Sequence, residues 1–283
     1  MNSPSLRLGS HLSIAKGLPK SAAMAQEIGA NTFQFFTRNP RGGSARQIPA
    51  SEIEKWEQVR AEHDLYPIVG HLPYTVNLAA PKAETQDFAK MVLAQDLARM
   101  NTIGAEFLVV HPGSHAGEGM EKGRQRILDT LSAAFLPFTG DAQLLLETMA
   151  GQGSEIGSLT DLAFFIRELG SPPNLGICID TCHLFAAGYE LRTEDGLERL
   201  VDEIESSVGL ERVKVVHLND SKSDLGSHRD RHELLGQGYI GRQGIINVLT
   251  HSAFSQLPLL LETPVANYRH YGAEIRLLRS WLQ

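Results

Sequence analysis

The feature that most constrains the fold of this chain is an alternation of short apolar runs with longer segments of helical period, repeated eight times. The apolar runs have the length of buried strands, and the segments between them carry apolar residues three or four apart, as one-sided helices do. Eight βα units in about 250 residues predict an α/β fold with a single closed (β/α)8 TIM barrel, because an open doubly wound sheet usually has fewer strands. The predicted strands end near Ser10, Phe36, His71, His111, Glu147, Asp180, His217 and Glu262.

The segment after the first predicted strand shows the helical pattern. Leu18, Ala22, Ala25 and Ile28 share one face, and Gly29 follows as a C-terminal stop. No linker, low-complexity tract or composition shift divides the chain, so we expect residues 1–283 to form one domain. Barrel active sites are built at the carboxyl ends of the strands, and we expect the site at that face.

Composition excludes several classes of protein. The 283 residues are 42% hydrophobic and 21% charged, which suits a globular chain with a large core. No apolar run approaches the roughly 18 residues of a membrane span, and residues 1–7 do not resemble a secretory leader, so we expect a soluble cytoplasmic protein without a membrane partner. The two cysteines, Cys178 and Cys182, are too few for a disulfide framework and lack the usual spacing of a thiolate zinc site.

Six consecutive predicted strands end in a residue that can bind a metal ion. A single histidine at a strand end is more often a hydrogen-bonded structural residue, but six such ends in succession favour a functional ring. Two further groups follow, since His183 lies three residues after Asp180, and Asp230 and His232 lie two apart. The candidate ligands are five histidines and four carboxylates: His71, His111, Glu147, Asp180, His183, His217, Asp230, His232 and Glu262.

Nitrogen and oxygen donors without thiolates suit zinc, manganese or iron in a catalytic site. Nine ligands exceed what one ion needs, and three ions with one bridging carboxylate would use them all. Three divalent ions would leave a local surplus of about two positive charges over four carboxylates, so an anion should bind there. They would also reduce the formal net charge of -7 to about -1, which weakens the objection to a polyanionic partner. Multi-metal sites of this kind recur in phosphoester hydrolysis.

At these positions the sequence resembles the endonuclease IV family of apurinic/apyrimidinic endonucleases, from about Gly9 to Pro264. Several long motifs in the same order are more specific than one short match. They are His111-Pro112-Gly113-Ser114-His115, Ala150-Gly151-Gln152-Gly153-Ser154, Cys178-Ile179-Asp180-Thr181-Cys182-His183, His217-Leu218-Asn219-Asp220, Asp230-Arg231-His232, Leu235-Gly236-Gln237-Gly238 and Leu261-Glu262-Thr263.

The resemblance implies three zinc ions, with manganese or iron as alternatives at one position. Carried over to this chain, the first ion would be bound by His71, His111 and Glu147, the second by Glu147, Asp180, His217 and Glu262, and the third by His183, Asp230 and His232. Glu147 would bridge the first two ions and act as the catalytic residue that orients or deprotonates the attacking hydroxide.

The resemblance also implies a DNA-repair activity. The expected reaction is cleavage 5′ to abasic sites in duplex DNA, leaving a 3′-hydroxyl and a 5′-deoxyribose phosphate, with trimming of blocked 3′ ends and a monomeric enzyme. Arg41 and Tyr74 match the positions that would contact the DNA, and Arg38, in the same loop as Arg41, is a further candidate contact. A short arginine run can equally be a solvated loop, and the tyrosine a packing residue. Two departures from the family pattern, Gly42-Gly43 in place of a tryptophan and Thr75 in place of an apolar residue, predict a smaller wedge at the lesion.

Two other functions fit a metal-bearing barrel. A metal-dependent sugar isomerase or epimerase would use the same face, but it would need one or two ions and no third group around Asp230 and His232. The second is a non-catalytic binding barrel that metal ions stabilise. It would have no use for metal coordination positions that the protein leaves open to water or substrate.

Overall fold

The computed structural model describes residues 6–40 and 43–283. Within these residues the strands are β1 (Leu8–Ser10), β2 (Phe33–Phe36), β3 (Ile68–His71), β4 (Phe107–Val110), β5 (Gly113–Ser114), β6 (Gln143–Glu147), β7 (Glu155–Ile156), β8 (Leu175–Asp180), β9 (Val213–His217), β10 (Asp220–Ser221), β11 (His232–Glu233) and β12 (Leu259–Leu261). The α-helices are α1 (Leu18–Glu27), α2 (Ala50–Glu62), α3 (Ala83–Thr102), α4 (Met120–Ala134), α5 (Leu159–Glu168), α6 (Thr181–Ala187), α7 (Glu194–Ser207), α8 (Gly241–Thr250) and α9 (Tyr271–Trp281).

Eight of the strands form one parallel sheet in the order β1-β12-β9-β8-β6-β4-β3-β2. The two ends of this order meet where His11 and Gln34 form an isolated parallel bridge, and the Leu12 amide donates to the Gln34 carbonyl oxygen at 2.7 Å. Every barrel strand is followed by at least one helix. The predicted (β/α)8 barrel is therefore confirmed.

The barrel interior is a layer of six buried apolar side chains, one from each of six strands. Each lies two residues before a candidate ligand, and side chains two apart in a strand point to the same side. The packed layer therefore forms the floor beneath the ligand ring, and burying each side chain of this size contributes about 1.5–3 kcal/mol. The six residues are Val69, Val109, Leu145, Cys178, Val215 and Leu260.

The helices pack one apolar face against the outside of the barrel. In α1 the buried positions include Leu18, Ala22 and Ala25, as their spacing predicts. Gly29 has a φ of +76°, which suits the residue that ends a helix. None of the helices that the structure describes is both long and apolar enough to cross a bilayer. That residues 1–283 form a single domain stays a prediction.

Two short antiparallel pairs lie beyond the carboxyl ends of the barrel strands. β5 pairs with β7, and β10 pairs with β11. The second pair places His232 opposite Ser221, close behind the end of β9. These pairs fix the long loops that surround the candidate site.

Candidate metal centre

The strand ends carry the candidate ligands to one end of the barrel. Glu147, Asp180 and His217 are fully buried there, above the apolar floor. The structure brings the nine residues together as three groups, and in each group one donor atom per residue lies within 4.8 Å of the others. These groups have the same members as the three sets expected from the sequence.

The first cluster consists of His71, His111 and Glu147. One carboxylate oxygen of Glu147, Oε2, lies 3.0 Å from His71 Nε2 and 3.1 Å from His111 Nε2. The Nδ1 of His71 lies 2.5 Å from the Leu72 carbonyl oxygen, which can only accept a hydrogen bond. Nδ1 can therefore keep its proton, which leaves Nε2 available to bind a metal ion at the cluster.

The second cluster consists of Glu147, Asp180, His217 and Glu262. The other oxygen of Glu147, Oε1, lies 3.0 Å from His217 Nδ1. The same nitrogen is 3.3 Å from Glu262 Oε2 and 3.8 Å from Asp180 Oδ2. Glu147 thus presents one oxygen to each of the first two clusters.

The third cluster consists of His183, Asp230 and His232. Asp230 Oδ1 lies 3.2 Å from His183 Nε2 and 3.3 Å from His232 Nε2. The Nδ1 atoms of the two histidines donate to backbone carbonyls of Thr148 and Glu262, at 2.8 and 3.1 Å. Both Nε2 atoms therefore point at the cluster and can bind a metal ion there once they are deprotonated.

The donor chemistry of these clusters fits divalent metal ions. The Nε2 atoms of His183 and His232 are buried and have no hydrogen-bond partner among the described residues, although a carboxylate lies nearby. Buried polar atoms are rarely left unpaired, and atoms converging on one point without bonding each other are typical of ligands. The clusters contain only imidazoles and carboxylates, which suit zinc, manganese or iron.

The thiol of Cys182 also lies near these clusters, since it groups with Asp180 and His232. Burial raises the pKa of the Cys182 thiol to about 12, and its Sγ lies 3.6 Å from the Arg231 carbonyl oxygen. In the metal-free protein a thiol with this pKa is protonated at neutral pH, so binding a metal ion would first require it to lose that proton. The nitrogen and oxygen donors are therefore the better ligand set.

Charge coupling within the centre is strong. Burial alone would raise the pKa of the Glu147 carboxyl, but the charges and hydrogen bonds of His111 and His217 hold it well below its usual value. Burial lowers the pKa of His183, and the carboxylates of Asp180, Asp230 and Glu147 outweigh that effect and raise it well above 6.5. Without metal, the raised pKa of His183 thus favours an imidazolium and the lowered pKa of Glu147 a carboxylate.

Two buried amides, which the sequence analysis did not single out, contact the candidate ligands. Gln34 donates to Glu262 Oε1 at 2.7 Å and lies 2.8 Å from His217 Nε2. Asn219 donates to Asp180 Oδ2 at 2.7 Å and accepts from the Glu262 amide at 2.8 Å. Partners of this kind orient metal ligands. The available signal for Gln34 was an amide inside an otherwise apolar strand.

Asp220 organises the loop behind the third cluster. It is fully buried, and its two oxygens accept five backbone N–H groups at 2.8–3.2 Å. Four of these donors lie between residues 236 and 241, and the fifth is the amide of Ser221. A side chain at Gly238 would collide with Asp220 itself, which explains the glycine there. The loop is thereby fixed against the β10–β11 pair that carries His232.

A cavity of about 320 Å³ opens over the clusters and is lined by ligands from all three. Tyr74 stands at its rim with 59% of its surface exposed, and its ring contacts the edge of Phe36. His11, Phe36 and Tyr271 also line a larger neighbouring cavity of about 860 Å³. The candidate metal centre is therefore open toward a broad groove.

Of the three expected DNA contacts, only Tyr74 is exposed in the part of the chain that the structure describes. Arg41 lies outside the described residues. Arg38 is buried, and its Nε lies 2.9 Å from a carboxylate oxygen of fully buried Asp96 on α3, while another nitrogen donates to Gln95. The guanidinium is therefore paired within the protein, and a contact of Arg38 with DNA stays a prediction.

Comparison with known proteins agrees with the fold and with the motifs. Residues 22–282 match the family described as xylose isomerase-like TIM barrel. A protein of Moorella thermoacetica named probable endonuclease 4 is 54% identical, over 97% of this chain and 99% of its own length. One of the same name from Heliobacterium modesticaldum is 47% identical, over 98% and 99%.

Solved structures show the same relation. The crystal structure of endonuclease IV from Thermus thermophilus superposes with a TM-score of 0.85 at 35% identity, covering 98% of each chain. A D-tagatose 3-epimerase-like protein superposes with a TM-score of 0.72 at 18% identity, over 98% of this chain and 97% of that one. At that identity the epimerase shares the fold alone.

Proposed function

The chain belongs to the endonuclease IV family of xylose isomerase-like TIM barrels, and from this premise we propose that it repairs DNA by hydrolysing the phosphodiester bond 5′ to abasic sites in the duplex. The proposal rests mainly on the position of Glu147. This buried carboxylate presents one oxygen to each of two ligand clusters, and a third cluster lies beside them. The products would be a 3′-hydroxyl and a 5′-deoxyribose phosphate. Trimming of blocked 3′ ends is proposed for the same site.

We propose that each cluster binds one divalent cation, with zinc as the ion best suited to its donors and manganese or iron as an alternative at one position. The first set is His71, His111 and Glu147, the second is Glu147, Asp180, His217 and Glu262, and the third is His183, Asp230 and His232. When bound, ions at such a site act as Lewis acids that lower the pKa of water and neutralise charge on a phosphate.

Glu147 is the proposed catalytic residue. Its carboxylate is fully buried, its pKa is held low by the surrounding imidazoles, and both oxygens face the clusters. It can therefore orient the attacking water and accept its proton. His183 and His232 lie on the open side of the centre, where they would help to hold the oxygen that leaves.

Recognition of an abasic site cannot use a base, so it must rest on the backbone and on filling the gap in the stack. Tyr74 is proposed for this contact because its exposed ring stands at the rim of the cavity and is supported by Phe36. Arg41 is proposed from the sequence as a second contact. Arg38 is proposed as a third contact, which would require its guanidinium to leave the ion pair with Asp96.

The proposal includes a monomeric, single-domain enzyme of the cytoplasm. The sugar epimerase alternative gains no support from the site, because a third cluster beside the first two exceeds the one or two ions that such chemistry would need. The alternative of a non-catalytic, metal-stabilised barrel also gains no support, because a structural metal site has no need of ligands that face an open groove.

The decisive assay compares three substrates for the zinc-loaded protein. These are a duplex with one abasic-site analogue, the same duplex undamaged, and a ketose for epimerisation. We expect a single cut on the 5′ side of the lesion, no cut in the undamaged duplex and no change in the sugar. Turnover of the sugar, or equal cutting of both duplexes, would contradict the proposal.

A further inference from the structure

Three histidines of the centre are oriented by the protein backbone. The Nδ1 atoms of His71, His183 and His232 each lie within hydrogen-bond distance of a carbonyl oxygen. A carbonyl only accepts, so each Nδ1 keeps its proton when the Nε2 of the same ring binds a metal ion. No side-chain substitution can remove these carbonyl acceptors.

His217 is oriented in the opposite sense. Its Nδ1 faces the second cluster, 3.0 Å from Glu147 Oε1 and 3.3 Å from Glu262 Oε2. Its Nε2 points away and lies 2.8 Å from the side-chain oxygen of Gln34. His217 can serve as a neutral ligand only if the ring proton is on Nε2, which requires an acceptor at that position.

The orientation of the Gln34 amide follows from its other neighbour. Its second end lies 2.7 Å from Glu262 Oε1, and a carboxylate needs a donor. The NH2 group must therefore face Glu262, which turns the amide oxygen toward His217. Gln34 is fully buried, and its contact with His217 is buried as well, so water does not compete for that contact.

We propose that Gln34 is a positioning residue that selects the Nδ1-binding tautomer of His217 and thereby completes the second metal site. This inference rests on the metal centre of the proposed function. Gln34 comes from β2, a strand without a ligand of its own. It sets the tautomer at His217, as carbonyl groups set the opposite tautomer at His71, His183 and His232. Without the amide oxygen, the proton moves to Nδ1 or Nε2–H is left unpaired in a buried position.

The test uses three variants of the full-length protein. Gln34→Met keeps the length of the side chain and removes both polar ends. Gln34→Glu keeps an oxygen for His217 and, when protonated, a donor for Glu262. Gln143→Met is the matched control, because Gln143 lies at the start of β6, at the other end of the barrel, and its side-chain oxygen has no partner among the described residues.

Each protein is loaded with cadmium-113, and the coupling between the metal and each 15N-labelled imidazole nitrogen is measured by NMR. We expect coupling through Nδ1 for His217 and through Nε2 for His71, His183 and His232. In Gln34→Met the Nδ1 coupling of His217 should disappear, and affinity for the second zinc ion should fall by about 10-fold to 100-fold in a chelator competition. Gln34→Glu should retain the coupling, and Gln143→Met should match the parent.

Binding of His217 through Nε2 in the parent protein would overturn the inference. Unchanged Nδ1 coupling and affinity in Gln34→Met would overturn it as well. In both cases the proposed nuclease could still cleave abasic DNA, so the two failures are distinguishable. If no cadmium bound next to His217 at all, both the inference and the proposed three-metal centre would fail.

Discussion

Replacement of Glu147 by glutamine is the most informative perturbation of this centre. The change keeps the shape of the side chain but removes its charge and turns one oxygen into an NH2 group. In the parent protein Oε2 faces His71 and His111, and Oε1 faces His217. A glutamine can present an oxygen to only one of the two clusters.

The cost to metal binding should be limited. The second cluster retains Asp180, His217 and Glu262, and the third does not contain Glu147. We therefore expect at least two of three ions to remain bound. The rate should fall further, because an amide cannot accept a proton: loss of a general base costs about 10²-fold to 10⁴-fold, or about 3–5 kcal/mol of transition-state stabilisation.

The assay measures single-turnover cleavage of an abasic-site duplex together with metal content on the same preparation. Glu106→Gln is the control, because the Glu106 carboxylate accepts the amide of Ile68 at the amino end of the barrel, away from the centre. It should retain the parent rate. Cleavage by Glu147→Gln within about threefold of the parent, with metal retained, would refute the role of Glu147 as proton acceptor.

The exposed rim, the protonated imidazoles and the buried ion pair give three further predictions. Tyr74→Ala should weaken binding of abasic duplex by about 1–3 kcal/mol without loss of metal, whereas Tyr74→Phe should bind like the parent. Burial lowers the pKa of His183, but the neighbouring carboxylates outweigh this effect and raise it well above its usual value. Metal binding must therefore displace a proton from His183, so metal affinity should fall as the pH is lowered. Calorimetry in two buffers of different ionisation enthalpy measures this proton release, and its absence would contradict the prediction. Arg38→Met should lower the free energy of unfolding by about 3–5 kcal/mol, because Asp96 is left buried without its closest cation, and Arg38→Met/Asp96→Leu should recover part of that loss in a denaturant titration.

The ring of ligands could be predicted because two simple periodicities determine it. Parallel strands in a barrel end at the same face, and residues two apart in a strand point the same way. Val69 and His71 show the rule, since the first packs in the floor and the second lies above it. The eight strand ends followed directly from the apolar runs in the sequence.

Contacts across long sequence separations could not be predicted in this way. Arg38 meets Asp96 at a separation of 58 residues, and only the position of Asp96 among the apolar residues of α3 hints at a buried charge. Gln34 meets His217 at a separation of 183 residues. Such pairings depend on the exact packing of loops and strands, which local patterns do not encode.

The five amide groups held by Asp220 have a consequence for engineering. An asparagine at this position would turn a donor toward backbone donors, so even the closest isostere disrupts the loop. Residues 220–241 should therefore be exchanged between homologous barrels only as one cassette, with the acid and Gly238 kept together. A chimera that exchanged only part of this segment would lose the hydrogen bonds of Asp220 to the loop, and His232 would no longer be held in its position.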